Sequence, residues 1–257
     1  MRWAVGGWTF FIAENALLSE NRALVIDAVG SEERYHALYG TISTVACASI
    51  ALGYHRIRTA GPMQWAAGAA PPASRLAACF ALQAIGLAGL AQSAPKLQLP
   101  FARKQAPAAH AEAAAPAAEA APPIAFSVRC PFDFAKHEGL HGAQRVSRHA
   151  SLWSFAAVCL GAAAITPALP QAVCLAMPCA VALLGGAHHD SRQRRGMGGE
   201  LPAELDAATS NVPMLALLSG AQGDVPTALR ALGDETKWIN AGLGAALAVL
   251  SVLRHVR

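Results

Sequence analysis

The chain has 257 residues, of which 54% are hydrophobic and only 14% are charged. About a quarter of the residues in a typical soluble domain are charged, so the composition favours a lipid bilayer as the environment. The net charge of +4 comes from scattered Lys and Arg, which excludes the broad basic face of a nucleic-acid-binding protein. The six cysteines form no CxxC pair, and this argues against a zinc site or a disulfide framework.

Six apolar segments follow one another along the chain, at residues 3–18, 37–54, 76–94, 151–165, 168–187 and 238–253. A membrane-spanning helix needs roughly 17 to 25 mostly apolar residues. We therefore predict an all-α, polytopic integral membrane bundle of five or six transmembrane helices. A soluble, Ala-rich helical bundle is the alternative. In lipid, small residues must bring the helices together, and the candidates are Gly40, Ala46, Gly86, Gly89, Gly161 and Ala164.

The segments divide the chain into three parts. Residues 1–95 hold the first three predicted helices, and residues 139–257 hold the last three. Residues 96–138 between them form an Ala/Pro-rich linker, because such a composition provides no core. In the fifth segment, Pro170 lies near the start, where proline is tolerated, whereas Pro178 lies in the middle and predicts a kink.

Glu14 is the only carboxylate within an apolar segment. Polar groups inside membrane helices are costly and are therefore candidates for function. One interpretation places Glu14 at a helix end, in contact with headgroup water. The other directs it into a cavity with a basic partner such as Arg148.

Arg148 and His149 stand at the entrance to about forty residues without a charge. They form either an interfacial pair that binds lipid phosphate or water, or a site in which a buried imidazole ligates a metal or moves a proton. His188 and His189 close the fifth segment. Adjacent histidines on a helix point about 100° apart and do not naturally converge on one metal; an interaction with the helix dipole is sufficient to explain them. Motifs of soluble hydrolases, kinases and dehydrogenases are absent from the sequence.

Three blocks carry a resemblance to a known family: GSEERYHALYGTIS at residues 30–43, RVSRHASLWSF at 145–155 and TSNVPMLALLSG at 209–220. With HHDSRQRR at 188–195, they are similar in order and spacing to the NnrU-type membrane proteins, which include the plastid and cyanobacterial 15-cis-zeta-carotene isomerases. The resemblance covers roughly residues 10–58 and 139–250. It implies a location in a plastid membrane (thylakoid or envelope) or in a bacterial inner membrane.

For the isomerase branch, the resemblance implies a b-type haem held by two histidines and a substrate with a central 15-cis double bond. A redox-active iron beside a polyene can lower the order of that bond and let it rotate. The family's two ligand positions fall on or beside Glu14 and Asn15, and on Ala162. Neither position holds an imidazole. The family's Arg-His histidine is retained as His149.

Two functional hypotheses follow from the resemblance. In the first, the chain is a divergent carotenoid cis–trans isomerase with Glu14, Arg148 and His149 as catalytic residues, and with His149, His188 and His189 as haem-binding residues. In the second, it is a non-catalytic subunit or scaffold of a membrane complex that kept the fold, lost the haem ligands and binds lipid or pigment. The implied partners are the lipid bilayer, a carotenoid and other membrane-complex subunits.

Overall fold

The computed structural model describes residues 1–58, 60–66, 69–97 and 139–256, and the backbone of three short strands between residues 101 and 133. The helices are α1 (Arg2–Glu20), α2 (Arg22–Val29), α3 (Glu32–Ile57), α4 (Ala73–Gln92), α5 (Ala150–Ala164), α6 (Leu169–Ala176), α7 (Pro178–Ala180), α8 (Gly186–Arg194), α9 (Ala203–Ala208), α10 (Leu215–Leu218), α11 (Val225–Glu235) and α12 (Trp238–Val256). A 3-10 turn spans Gly142–Arg145, and a π-helical turn spans Val181–Gly185.

Four short strands lie in the region predicted as a linker. They are β1 (Lys96–Leu97), β2 (Phe101–Arg103), β3 (Phe126–Val128) and β4 (Phe132–Asp133). β1 pairs with β4 and β2 pairs with β3, both antiparallel. Most of the predicted linker, including residues 104–125, lies outside the described residues.

Within the described chain, three helical segments are long and apolar enough to cross a membrane: Glu32–Ile57, Ala73–Gln92 and Leu169–Arg194. A fourth is added if α11 and α12, which are bent by 82°, form one span. These candidates are fewer than the five or six transmembrane helices predicted from the sequence. α5 is apolar but has 15 residues, about 22 Å of helix against a hydrocarbon core of about 30 Å. α1 has 19 residues but is not among these candidates, because the polar residues near its end lower its mean hydropathy.

The helices pack in the order α3, α1, α6, α5, α4 and α12. Among the described residues, the side chains buried between them are mostly small, such as Ala4, Ala46 and Ala156, whereas Ile85 is 69% exposed and Leu250 is 57% exposed. Large apolar side chains outside and small ones inside are compatible with a membrane protein, because lipid supplies no hydrophobic drive between helices. In water this distribution would expose an unusually large apolar surface.

The contact between α4 and α5 depends on the predicted small residues. A Cβ atom on Gly86 would lie 2.6 Å from the Ser154 carbonyl oxygen, and one on Gly161 would lie 3.0 Å from the Cys79 carbonyl oxygen. Ala46 is fully buried. The prediction is wrong for Gly40, which is exposed and has no neighbour for a Cβ atom within 4 Å.

The helix is interrupted where the sequence predicts a kink at Pro178. α6 ends at Ala176, α7 begins at Pro178, and the π-helical turn follows before α8. Asn211 Nδ2 donates a hydrogen bond to the Leu183 carbonyl oxygen at 2.9 Å. The Gly186 N–H donates to the same carbonyl, so Asn211 adds a side-chain hydrogen bond to the backbone bonds of this irregular turn.

Gly244 and Gly242 lie two residues apart in α12 and provide a test of this close packing. A Cβ atom on Gly244 would lie 2.6 Å from the Ala88 backbone nitrogen, whereas one on Gly242 would meet nothing within 4 Å. We expect Gly244→Ala to lower the free energy of unfolding by about 1–3 kcal/mol. Gly242→Ala should raise it by up to about 1 kcal/mol. Chemical unfolding in mixed micelles measures both changes. Equal changes in the free energy of unfolding would contradict the close approach of α12 to α4 at Gly244.

Candidate functional site

A cavity of about 420 Å³ opens at one end of the bundle, where α1 and α8 end and where α3 and α5 begin. Its apolar lining includes Phe11, Ile12, Leu152, Val181 and Leu184. Its polar lining is formed by Asn15, Ser19, Tyr39, His149, His188, His189 and Arg192. Both the retained Arg-His histidine and the histidine pair therefore lie at the same cavity.

Arg148 is the centre of the ionic network behind this cavity. Its side chain is 8% exposed and forms ion pairs with Asp190 Oδ2 at 2.9 Å and with Asp206 Oδ1 at 2.7 Å. Its Nε donates to Thr209 Oγ1 at 2.9 Å. The guanidinium fork thus joins α8, α9 and the start of α5 in a site where water contributes little screening.

The backbone around Arg148 is fixed by the segment at residues 209–214. The Arg148 N–H donates to the Ser210 carbonyl oxygen at 3.0 Å, and the Met214 N–H donates to the Val146 carbonyl oxygen at 2.7 Å. Met214 adopts a left-handed conformation with φ 63°, which is uncommon for a residue other than glycine. Two of the blocks that carry the family resemblance are therefore in direct contact.

The three histidines have different partners. His149 Nε2 lies 2.7 Å from Asp190 Oδ1, and the His149 ring meets the His189 ring edge to face with centroids 5.4 Å apart. His188 Nε2 lies 2.8 Å from Ser19 Oγ on α1. The adjacent His188 and His189 thus diverge, as helical geometry predicts, and His189 converges with His149.

Glu14 is 5% exposed, so the interpretation of a helix end in contact with water is wrong. Its Oε1 accepts hydrogen bonds from Asn15 Nδ2 at 2.6 Å and from Ser43 Oγ at 3.0 Å. The expected partnership with Arg148 is also wrong, because Arg148 bonds to two aspartates on other helices.

Arg192 differs from its neighbours in the basic cluster. Arg194 bonds to Asp206, and Arg195 bonds to Glu20. The hydrogen bonds from Arg194 and Arg148 outweigh burial and lower the pKa of Asp206 to about 2. Arg192, by contrast, lines the cavity, and its buried Nε has no hydrogen-bond partner in the part of the chain that the structure describes.

The residues present do not fit the bis-histidine haem that the resemblance implies. Ala162 has no donor atom, and Glu14 is held by Asn15 and Ser43. Axial ligands must lie on opposite faces of a flat macrocycle. The edge-to-face contact of His149 and His189 leaves no room for a macrocycle between their rings.

Sequence reasoning named Arg148, His149, His188 and His189, and the structure brings all four to this end of the bundle. It missed Asp190, Asp206 and Arg192 as site residues. Asp190 directly follows the histidine pair, and an acidic residue in such a basic stretch was a signal for pairing. Nothing in the sequence distinguishes Arg192 from the arginines that follow it, because only the fold shows which of them have partners.

No protein family, curated protein or solved structure matches the chain. The likeness to NnrU-type proteins therefore rests on the sequence blocks alone and stays a prediction.

Asp190 provides the test of the ionic network. Asp190→Ala removes one of the two carboxylates that neutralise the buried charge of Arg148. We expect the free energy of unfolding to fall by about 3–5 kcal/mol, the usual cost of breaking a buried ion pair. The control is Glu20→Ala, which breaks the exposed Arg195–Glu20 pair and should have little effect. Chemical unfolding in detergent measures both variants. Similar losses would mean that the Arg148 network does not stabilise the fold.

Proposed function

We propose that this chain is an integral membrane protein that binds the anionic head of a membrane lipid or fatty acid at the cavity between α1, α5 and α8. The observation that carries this proposal is Arg192, an arginine on the cavity wall whose buried Nε lacks a hydrogen-bond partner among the described residues. A buried donor without a partner is costly. A carboxylate or phosphate group is the ligand that a guanidinium fork binds best.

The shape and chemistry of the cavity support an amphipathic ligand. Phe11, Leu152 and Leu184 offer apolar lining for an acyl chain, and Arg192 is one of the polar lining residues. The polar end lies where several helices begin or end, which is the depth of lipid headgroups in a bundle that crosses a bilayer. A lipid head at Arg192 and a tail along α1 and α5 would satisfy both surfaces.

Membrane insertion is part of this proposal. The apolar outer surface and the three to four candidate spans support it. We propose that α1, which has 19 residues, and the shorter α5 also lie within the bilayer, which gives the five or six helices expected from the sequence. The resemblance to NnrU-type proteins supports a plastid or bacterial inner membrane as the location. The lack of imidazoles at the two expected haem-ligand positions supports a non-catalytic member of that family.

Arg192→Gln tests the lipid proposal. Loss of a charge-assisted hydrogen bond worth about 1.5–3 kcal/mol predicts affinity weaker by roughly 10- to 100-fold. The control is Arg195→Gln, three residues further along, where the arginine bonds to Glu20 instead. Binding is measured by native mass spectrometry in micelles, with phosphatidic acid and with a long-chain fatty acid as separate probes.

The two probes distinguish phosphate from carboxylate as the preferred head. Equal affinity of the two arginine variants for both probes would contradict the proposal, as would an unmodified protein that binds neither.

A second cavity supports a second candidate function. It measures about 530 Å³, lies between α4, α5 and α12, and is lined mainly by apolar residues that include Trp153 and Trp238. Such a groove suits part of an elongated polyene, the substrate class that the resemblance implies. The reaction of this second candidate function would be isomerisation of a 15-cis double bond of the polyene.

Ala157→Phe tests the polyene proposal because Ala157 lines the second cavity. A phenyl ring should fill the groove and reduce the carotenoid that copurifies after reconstitution with tri-cis zeta-carotene. Ala81→Phe, at an exposed position on α4, is the control and should leave binding unchanged. Visible absorption reports bound polyene, and chromatography of the extracted pigment reports isomerisation. Equal binding by both variants would refute this location.

A further inference from the structure

We infer that His149, His189 and Asp190 form a binding site for a divalent transition metal of the zinc class. Each residue offers one ligand atom, and these atoms all lie within 4.8 Å of one another. Two imidazoles and one carboxylate are a donor set that zinc and other first-row divalent ions bind. This site is distinct from the haem position that the resemblance implies, since neither Glu14 nor Ala162 belongs to it.

The three donors are close to a coordinating arrangement. His149 Nε2 and Asp190 Oδ1 are 2.7 Å apart, and the His189 ring stands at 88° to the His149 ring. Metal–ligand distances of about 2.0–2.2 Å require the donor atoms to lie within about 4 Å of one another. His189 is exposed and carries no hydrogen bond among the residues described, so rotation of its side chain closes the remaining gap.

The surroundings of Asp190 and His149 resemble the outer shell of a metal site. Arg148 forms an ion pair with Asp190 Oδ2 at 2.9 Å, and Asp190 Oδ1 is the oxygen that lies next to His149 Nε2. The His149 N–H donates to Ser147 Oγ at 3.1 Å, which fixes the backbone from which the imidazole projects. Groups that orient ligands in this way tune metal affinity. Three protein ligands also leave a fourth position open, as in catalytic zinc sites.

Charge sets the affinity of the site. Asp190 is the only acidic ligand, and the Arg148 guanidinium that orients it also reduces its negative charge. The negative charge of Asp206 partly neutralises Arg148, but Asp206 also forms an ion pair with Arg194. Arg192 is nearby and lacks such an acidic partner in the described chain. A dication here is therefore held more weakly than in structural sites with several thiolates.

Cobalt titration tests this inference. The protein is purified without a histidine tag, stripped with a chelator and titrated with Co²⁺ in detergent, because the visible absorption of Co²⁺ reports its coordination. We expect one Co²⁺ per chain, displaced by Zn²⁺. His189→Ala should raise the dissociation constant about 10-fold or more. His188→Ala is the matched control, since His188 faces Ser19 instead of the cluster.

Several results would overturn the inference: no cobalt absorption, equal loss in the two histidine variants, or unchanged binding in His189→Ala. Circular dichroism and the unfolding midpoint verify that both variants are folded. The metal and lipid proposals also fail separately, because metal binding depends on His189 and lipid binding depends on Arg192.

Discussion

The buried guanidinium of Arg148 is the constraint on which this end of the molecule depends. It joins the entrance of α5 to Asp190 on α8 and to Asp206 on α9, both of which follow much later in the sequence. A buried charge is tolerated only when its partners are in place. The network therefore stabilises one arrangement of the helix ends and also determines where His149 stands. The same carboxylate that compensates Arg148 orients the imidazole beside it.

A second constraint acts along the rest of the bundle. The helices meet through glycine and alanine at the positions where backbones approach, and large apolar side chains point outward. Packing of this kind tolerates little added volume at the contacts and much variation outside them. The Arg148 network thus stabilises one end of the bundle through ion pairs, whereas close backbone contacts stabilise the rest of it.

The sequence predicted the helical class, the break at Pro178 and most of the close-packing residues, because each of these depends on local composition or periodicity. It predicted more spans than the three or four helices that are long and apolar enough, since α5 is apolar but short and α1 is diluted by polar residues. It did not predict the partners of Arg148 or Glu14. Which carboxylate meets which guanidinium depends on how distant helices are rotated about their axes, and one sequence carries little information on that rotation.

The π-helical turn at Val181–Gly185 has a consequence for that rotation. Asn211 Nδ2 donates to the Leu183 carbonyl within this turn, and Gly186 allows the approach, since a Cβ atom there would lie 2.5 Å from Asn211 Oδ1. A π-turn accommodates one extra residue. If the ladder closed into regular α-helix, α8 would turn by about 100° and carry His189 and Asp190 away from His149. The rotation of α8 about its own axis, which depends on this one irregular turn, therefore determines whether His189 and Asp190 reach His149.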